Sequence, residues 1–193
     1  MPWEKSFDES DVVERVMHLF WQKGYSATSI SDITEATGLK RGSLYNAFDG
    51  KDDLFHRSLQ KYDTEHRCAT LTQLEGMADP VQAISTFFSQ IVKSTLSDPD
   101  RKGCLLVNTS IDLAVHDEHT KKFVANAFKT IAQFFESCIR KGQELGEIPS
   151  SIQPRPTAKA LVSCVVGIRV LGRGVFGKAA LDQIADQAQR LIQ

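Results

Sequence analysis

The chain has 193 residues with 23 basic and 24 acidic side chains, a net charge of −1 and 41% hydrophobic residues. That size allows one or two domains with a real core. No apolar run reaches the ~18 residues of a membrane span, and the polar start MPWEKSFDES lacks a signal-peptide core. Cys68, Cys104, Cys138 and Cys164 lie far apart with no C-x-x-C spacing, which fits a reducing, cytoplasmic compartment and argues against a zinc site.

In chain order, the first predicted helix runs from about Asp11 to Lys23. Val12, Val16, Leu19 and Phe20 form its buried stripe, and Gly24 stops it. Ser29 is placed to cap a second helix whose Ile30, Ile33 and Thr34 recur at helical spacing. Gly38 sits where that helix must end and reverse, and Leu39 plugs the angle to the next helix. Lys40, Arg41, Gly42 and Ser43 open a third helix with Leu44, Tyr45 and Phe48 as its apolar and aromatic positions. Asp49-Gly50 breaks the chain. Asp49 and Asp52 have the spacing of a capping box at the head of a long helix, which starts near Lys51 and passes Cys68 into the seventies. Two short helices around a tight turn form a helix-turn-helix, which lays its second helix in the major groove of double-stranded DNA.

The remaining elements are also helical. Asp79-Pro80 starts a helix with Val81, Ile84, Phe87, Phe88 and Ile91 on one side. Leu105 to Ala114 is short and apolar, and Asp117 to Leu145 is long. Gly146 and Pro149 precede a polar linker, Ser150 to Arg155. Helices near Thr157–Leu171 and Lys178–Ile192 close the chain. No stretch reads as a strand ladder, so the fold is expected to be all-α with about nine helices.

The run from Ile33 to Phe48 with Lys51-Asp52-Asp53-Leu54, preceded by Lys23-Gly24-Tyr25-Ser26-Ala27-Thr28, resembles the DNA-binding domain of TetR/AcrR-type transcriptional regulators. The resemblance is strong over residues 11 to 55. Gly103 to Asn108 is similar to the ligand domain of one branch of that family. The resemblance implies a three-helix DNA-binding domain over 1–55 and a helical effector-binding and dimerisation domain over 56–193. It also implies that Lys51 contacts a phosphate and that the helix opening at Lys40 reads bases. The expected DNA-facing set is Thr28, Ser29, Lys40, Arg41, Gly42, Ser43, Tyr45, Asn46 and Lys51, mostly cationic, hydroxyl and amide groups of the kind that bond phosphates and base edges. The sequence departs from many relatives at Lys40, where they carry serine or threonine, and at Gly50, where they carry serine.

Charge weighs against a broad positive field. Residues 1–55 hold six basic and ten acidic side chains, but three of the six lie between Lys40 and Lys51. Weak non-specific binding is expected. A helical protein-interaction module that keeps the helix-turn-helix shape without specific DNA binding is the alternative reading. No nucleophile–base set points to an enzyme, and no cofactor or metal is expected.

The middle helices are rich in phenylalanine, and the resemblance makes part of that surface a cavity for an unidentified small-molecule effector. Phe87, Phe88, Ile91, Cys104, Asn108, Phe128, Ile131 and Arg169 are the candidate lining, with Asn108, Asp112 and Arg169 as polar anchors. Cys104 follows Arg101-Lys102-Gly103 and precedes a helix, a setting that favours thiolate and offers a thiol-reactive trigger; a buried structural cysteine is the competing reading. Leu161, Val165, Ile168, Leu181, Ile184, Ala188 and Leu191 on the last two helices are the expected homodimer interface. Gly172 to Gly177 spells G-x-G-x-x-G but follows a helix, so it reads as a turn. His116-Asp117-Glu118-His119 reads as a solvated helix start. The expected function is therefore a regulator, a repressor, released from a palindromic operator by a small-molecule or thiol-reactive signal.

Overall fold

The computed structural model describes residues 7–193. Among these it contains no strand. The helices are α1 (Glu9–Lys23), α2 (Ile30–Thr37), α3 (Arg41–Ala47), α4 (Lys51–Asp63), α5 (Ala69–Glu75), α6 (Pro80–Leu96), α7 (Leu105–Ile111), α8 (Glu118–Glu144), α9 (Pro154–Leu171) and α10 (Lys178–Arg190). A π turn, Thr64–Cys68, fuses α4 and α5 into one rod, so the chain folds as nine rods among the described residues. Among the described residues, no helix is long and apolar enough to cross a membrane.

Local chemistry sets the first bends. Asp8 caps α1 by accepting from the Ser10 amide at 2.8 Å. Ser29 and Asp32 cap α2 reciprocally: the Asp32 amide donates to the Ser29 hydroxyl at 3.1 Å, and the Ser29 amide to the Asp32 carboxylate at 2.7 Å. Lys23 closes on the same carboxylate at 2.7 Å, and that bond, followed by those from Ser29, holds Asp32 well below the usual carboxylate range. Gly38 ends α2 with φ 72° and ψ 7°, a left-handed conformation that costs a side-chain-bearing residue ~1–2 kcal/mol. The expected Asp49–Asp52 box at α4 does not form. Gly50 is the cap residue, the Asp49 amide donates instead to Asp53 at 3.2 Å, and Asp52 accepts from the Tyr25 hydroxyl.

Two apolar clusters hold the molecule together. One joins α1 to α4 with Val12, Val16, Met17, Phe20, Ile33, Leu44, Phe48, Leu54, Phe55 and Leu59, and extends to Leu105, Leu106, Val124 and Ala127 on α7 and α8. Leu19 is only half-buried on its rim. The N-terminal helices thus pack directly on the C-terminal ones. The Trp21 indole reinforces the junction by donating to the Gly103 carbonyl at 2.9 Å. The other cluster fills the space between α5, α6, α8, α9 and α10. Phe87, Phe88, Phe134 and Phe135 lie within it, with the Phe87 and Phe135 centroids 5.0 Å apart and edge-to-face.

The helix start at Asp117, Glu118 and His119 is exposed as expected, but His116 is not solvated. His116 is buried and stacks on Phe55 at 4.7 Å, also meeting Tyr25. His119 stacks on the buried His56 at 3.8 Å, with Phe123 edge-on to His56. Both His56 ring nitrogens are buried without a hydrogen bond among the described residues. Burial first, then repulsion from His119, lowers the His56 pKa, although Asp117 and Asp53 oppose this. Burial likewise lowers His66 and His116.

A histidine whose folded pKa lies below its unfolded value of ~6.5 binds protons more readily when unfolded. Stability is therefore full above that unfolded value and falls as pH drops through it towards the folded one. The melting temperature is expected to decline between about pH 7 and pH 5, and His56→Leu should make the decline shallower. Melts with equal slopes for parent and variant would contradict the role given to His56.

Candidate nucleic-acid interface and effector cavity

α3 buries Leu44 and Phe48 against the N-terminal core and turns Lys40, Arg41, Gly42, Tyr45 and Asn46 to solvent, with Ser43 half-buried. Two ring contacts order this face. The Arg41 guanidinium lies 5.7 Å from the Tyr45 ring centroid. Arg57 sits 5.1 Å above the Phe48 ring while bonding Asp53 at 2.9 Å and Glu9 at 3.3 Å, which clamps the end of α3 to α4 and α1. Lys51, the first residue of α4, holds its ammonium 4.1 Å above the Tyr25 ring, and partial burial lowers its pKa. Asp52 gives this ammonium part of its counter-charge, and a phosphate oxygen would add to it. No acidic residue occupies the first turn of α3.

The C-terminal helices line a partly open cavity of about 220 Å³. Its apolar walls include Phe87, Ile91, Leu106, Phe128, Ile131 and Val165, and its polar groups include Tyr62, Glu65, His66, Arg67, Cys104 and Arg169. Tyr62 and the π turn thus form one wall of the cavity, and the rod they belong to begins at Lys51. Arg67 forks onto Asp63 with two bonds of 2.6 Å, and Glu65 pairs with Lys61 at 2.8 Å. Tyr62 is buried beside the Cys104 thiol and the Leu105 amide, and burial pushes its hydroxyl pKa well up, so it stays a neutral phenol.

These features have counterparts in known proteins. Residues 13–57 match the model of the bacterial regulatory proteins of the tetR family, and residues 80–188 match the tetracyclin repressor-like C-terminal domain. The HTH-type transcriptional repressor ComR of Escherichia coli (strain K12) is 31% identical over 196 residues, 97% of this chain and 90% of ComR. The chain belongs to the TetR family of transcriptional regulators. The HTH-type transcriptional repressor DhaR of Mycobacterium sp. (strain GP1) is 28% identical, over 89% of this chain and 85% of DhaR. The TetR-family regulator CifR, solved as a cysteine mutant with 26-bp double-strand operator DNA, superposes with a TM-score of 0.82 at 23% identity, covering 97% of this chain and 98% of that one. That likeness establishes the shared fold. The TetR family is one of non-enzymatic DNA-binding regulators.

The TetR-family chain does not present every expected residue where the spacing put it. Thr28 is buried, its hydroxyl donating to the Gly24 carbonyl at 2.7 Å, so its side chain faces inward. Ser29 is exposed, but its hydroxyl is engaged with Asp32. Of the candidate lining, Phe87, Ile91, Cys104, Phe128, Ile131 and Arg169 meet at the cavity. Phe88 is fully buried in the core instead. Asn108 donates to the Lys102 carbonyl at 2.8 Å and accepts from Arg173 at 3.2 Å, tying α7 to the α9–α10 turn. Asn108 and Asp112 line a separate crevice between α1 and α7.

Tyr62, Glu65, His66 and Arg67 escape a reading of the sequence because an uninterrupted helix would not bring three consecutive residues to one wall. The π turn does so by widening the coil, and such turns occur often at functional sites. The sequence carries no obvious signal for it. The expected cationic setting of Cys104 is also altered. Lys102 turns away to Asp98, Asp100 and the Trp21 ring, and the Arg101 side chain lies against Gly174. Cys104 instead shares the cavity with Tyr62 and Arg169. Burial raises the thiol pKa of Cys68 and Cys164 and pushes Cys138 up to about 11. Slow labelling of Cys138 by a neutral maleimide at pH 7 is therefore expected, with Cys104, which opens on the cavity, the faster site. Peptide mapping that shows Cys138 labelling first would contradict this.

Five of the seven residues of the expected dimer stripe point the wrong way for an interface, and only Ile184 and Leu191 do not. Leu161, Val165, Ile168, Leu181 and Ala188 are buried inside the chain's own core. A helix apolar on two faces uses one internally, and spacing alone could not say which. The outward face of α9 carries Val162, Val166 and Val170, half-buried, and that of α10 carries Ile184 and Leu191, the latter 40% exposed. Gly172 to Gly177 forms the turn between these helices.

Proposed function

We propose that this regulator is a repressor that binds a palindromic double-stranded DNA operator as a homodimer and leaves it when a small-molecule or thiol-reactive signal reaches the cavity. The observation that carries the reading is one rod, Lys51 to Glu75, whose first residue borders the α3 face and whose π turn walls the cavity. A ligand pressing on Tyr62 or the π turn acts on the element that sets Lys51 and, through Phe48, α3. The outward faces of α9 and α10 supply the dimer contact, and the two α3 helices then reach half-sites about 34 Å apart. The effector must bind the DNA-incompetent arrangement more tightly than the competent one, since equal affinity shifts nothing. A ten- to hundredfold release needs only ~1.4–2.7 kcal/mol of coupling.

Selection of bound fragments from fragmented genomic DNA, followed by footprinting, tests this reading. A single inverted repeat protected over two major-groove faces is expected. Binding without sequence preference would leave the interaction-module reading in its place.

A further inference from the structure

One charge on the cavity wall has no answering charge in the protein. Arg67 is committed to Asp63 and Glu65 to Lys61. Desolvation beside the cavity lowers the His66 pKa, which disfavours its charged form. Arg169 donates only to the Thr95 hydroxyl, at 3.0 Å, and no carboxylate among the described residues pairs with it. Arg169 nonetheless borders a cavity that is mostly apolar.

We propose that the cavity takes a small monocarboxylate with an apolar, ring-sized body, its carboxylate on Arg169 and its body against Phe87, Ile91, Phe128, Ile131 and Val165. This inference rests on reading the cavity as the effector site. Three features fix the class. The first is charge: one unanswered cation suits one negative charge, whereas a phosphate dianion would want a second, and Arg67 is already neutralised. The second is geometry: the planar guanidinium fork matches the two oxygens of a carboxylate. The third is size: an apolar cavity of about 150 Å³ accepts benzene, so about 220 Å³ leaves room for a benzene ring bearing a carboxylate. A cationic ligand would meet Arg169 as a like charge, and a neutral apolar one would leave it further desolvated and unpaired. Tyr62 and His66 border the same space, so the carboxylate end lies next to the rod that begins at Lys51.

The test uses the full-length protein with benzoate, benzamide, benzylamine and toluene as probes, read by calorimetry and by thermal melts. Benzoate is expected to raise the melting temperature and to bind at least about tenfold more tightly than benzamide, with benzylamine silent. Arg169→Gln should weaken benzoate by about tenfold or more while leaving toluene unchanged, and Arg169→Lys should fall between. The benzoate-to-benzamide ratio on the parent protein decides the matter even if a variant folds poorly. Equal binding of benzoate and benzamide, or benzoate binding indifferent to Arg169→Gln, would overturn the anionic class and leave the effector cavity standing. No response to any of the four probes, toluene included, would remove the cavity reading together with the inference.

Discussion

Arg41→Ala is expected to weaken operator binding by about tenfold to a hundredfold and to relax the base preference at one position in each half-site, as removal of an arginine–guanine pair worth ~1–3 kcal/mol requires. Arg41 opens α3, is exposed, and is steadied over the Tyr45 ring. Lys51→Ala should behave differently. Its ammonium stands at the head of α4 over Tyr25, where a phosphate and not a base edge would meet it. Binding should then fall alike on all sequences, and the slope of log K against log salt should flatten by about one for each phosphate that is no longer neutralised. Fluorescence anisotropy over a salt series separates the two variants. Parent-like binding by both would mean that α3 does not face DNA in this orientation.

The second large effect separates the core of the C-terminal helices from their proposed interface. Leu161 is fully buried, so Leu161→Asp should cost several kcal/mol, a large share of the ~5–15 kcal/mol that holds a typical domain folded. Loss of the cooperative melt is expected. Val166 lies half-buried on the outward face of the same helix, next to Gly167, where a Cβ would meet nothing within 4 Å. Val166→Asp should leave a folded protomer that sediments as a monomer and binds the operator poorly, because it engages one half-site instead of two. A Val166→Asp protein that remains a dimer would move the interface elsewhere. A Leu161→Asp protein that melts like the parent would contradict the packing itself.

Features governed by neighbours in the chain were legible. The Ser29 cap, the Gly38 reversal, proline at the head of α6 and the apolar period of each helix follow from spacings of one to four residues, and the structure bears out the all-helical fold. Features set by distant partners were not. Spacing assigns Leu161, Val165 and Ile168 to one face, but only the packing of α6, α8 and α10 shows that this face looks inward. Thr28 has the chemistry of a DNA contact, yet its bond to Gly24 turns it away. His56 and His119 lie far apart in the chain, so their stack could not be foreseen. The π turn at Thr64–Cys68 is the largest omission, because it decides which side chains wall the cavity.

Coupling between the two sites is tested most directly by the operator affinity of the protein, measured with and without a cavity ligand on the fragment protected in footprinting. Salt-dependent, sequence-specific binding is expected, weakening at least about tenfold when benzoate fills the cavity. In the Arg169→Gln protein the same benzoate concentration should leave operator binding unchanged. Specific DNA binding that ignores every cavity ligand shown by calorimetry to bind would contradict the claim that the rod from Lys51 to Glu75 couples the two sites.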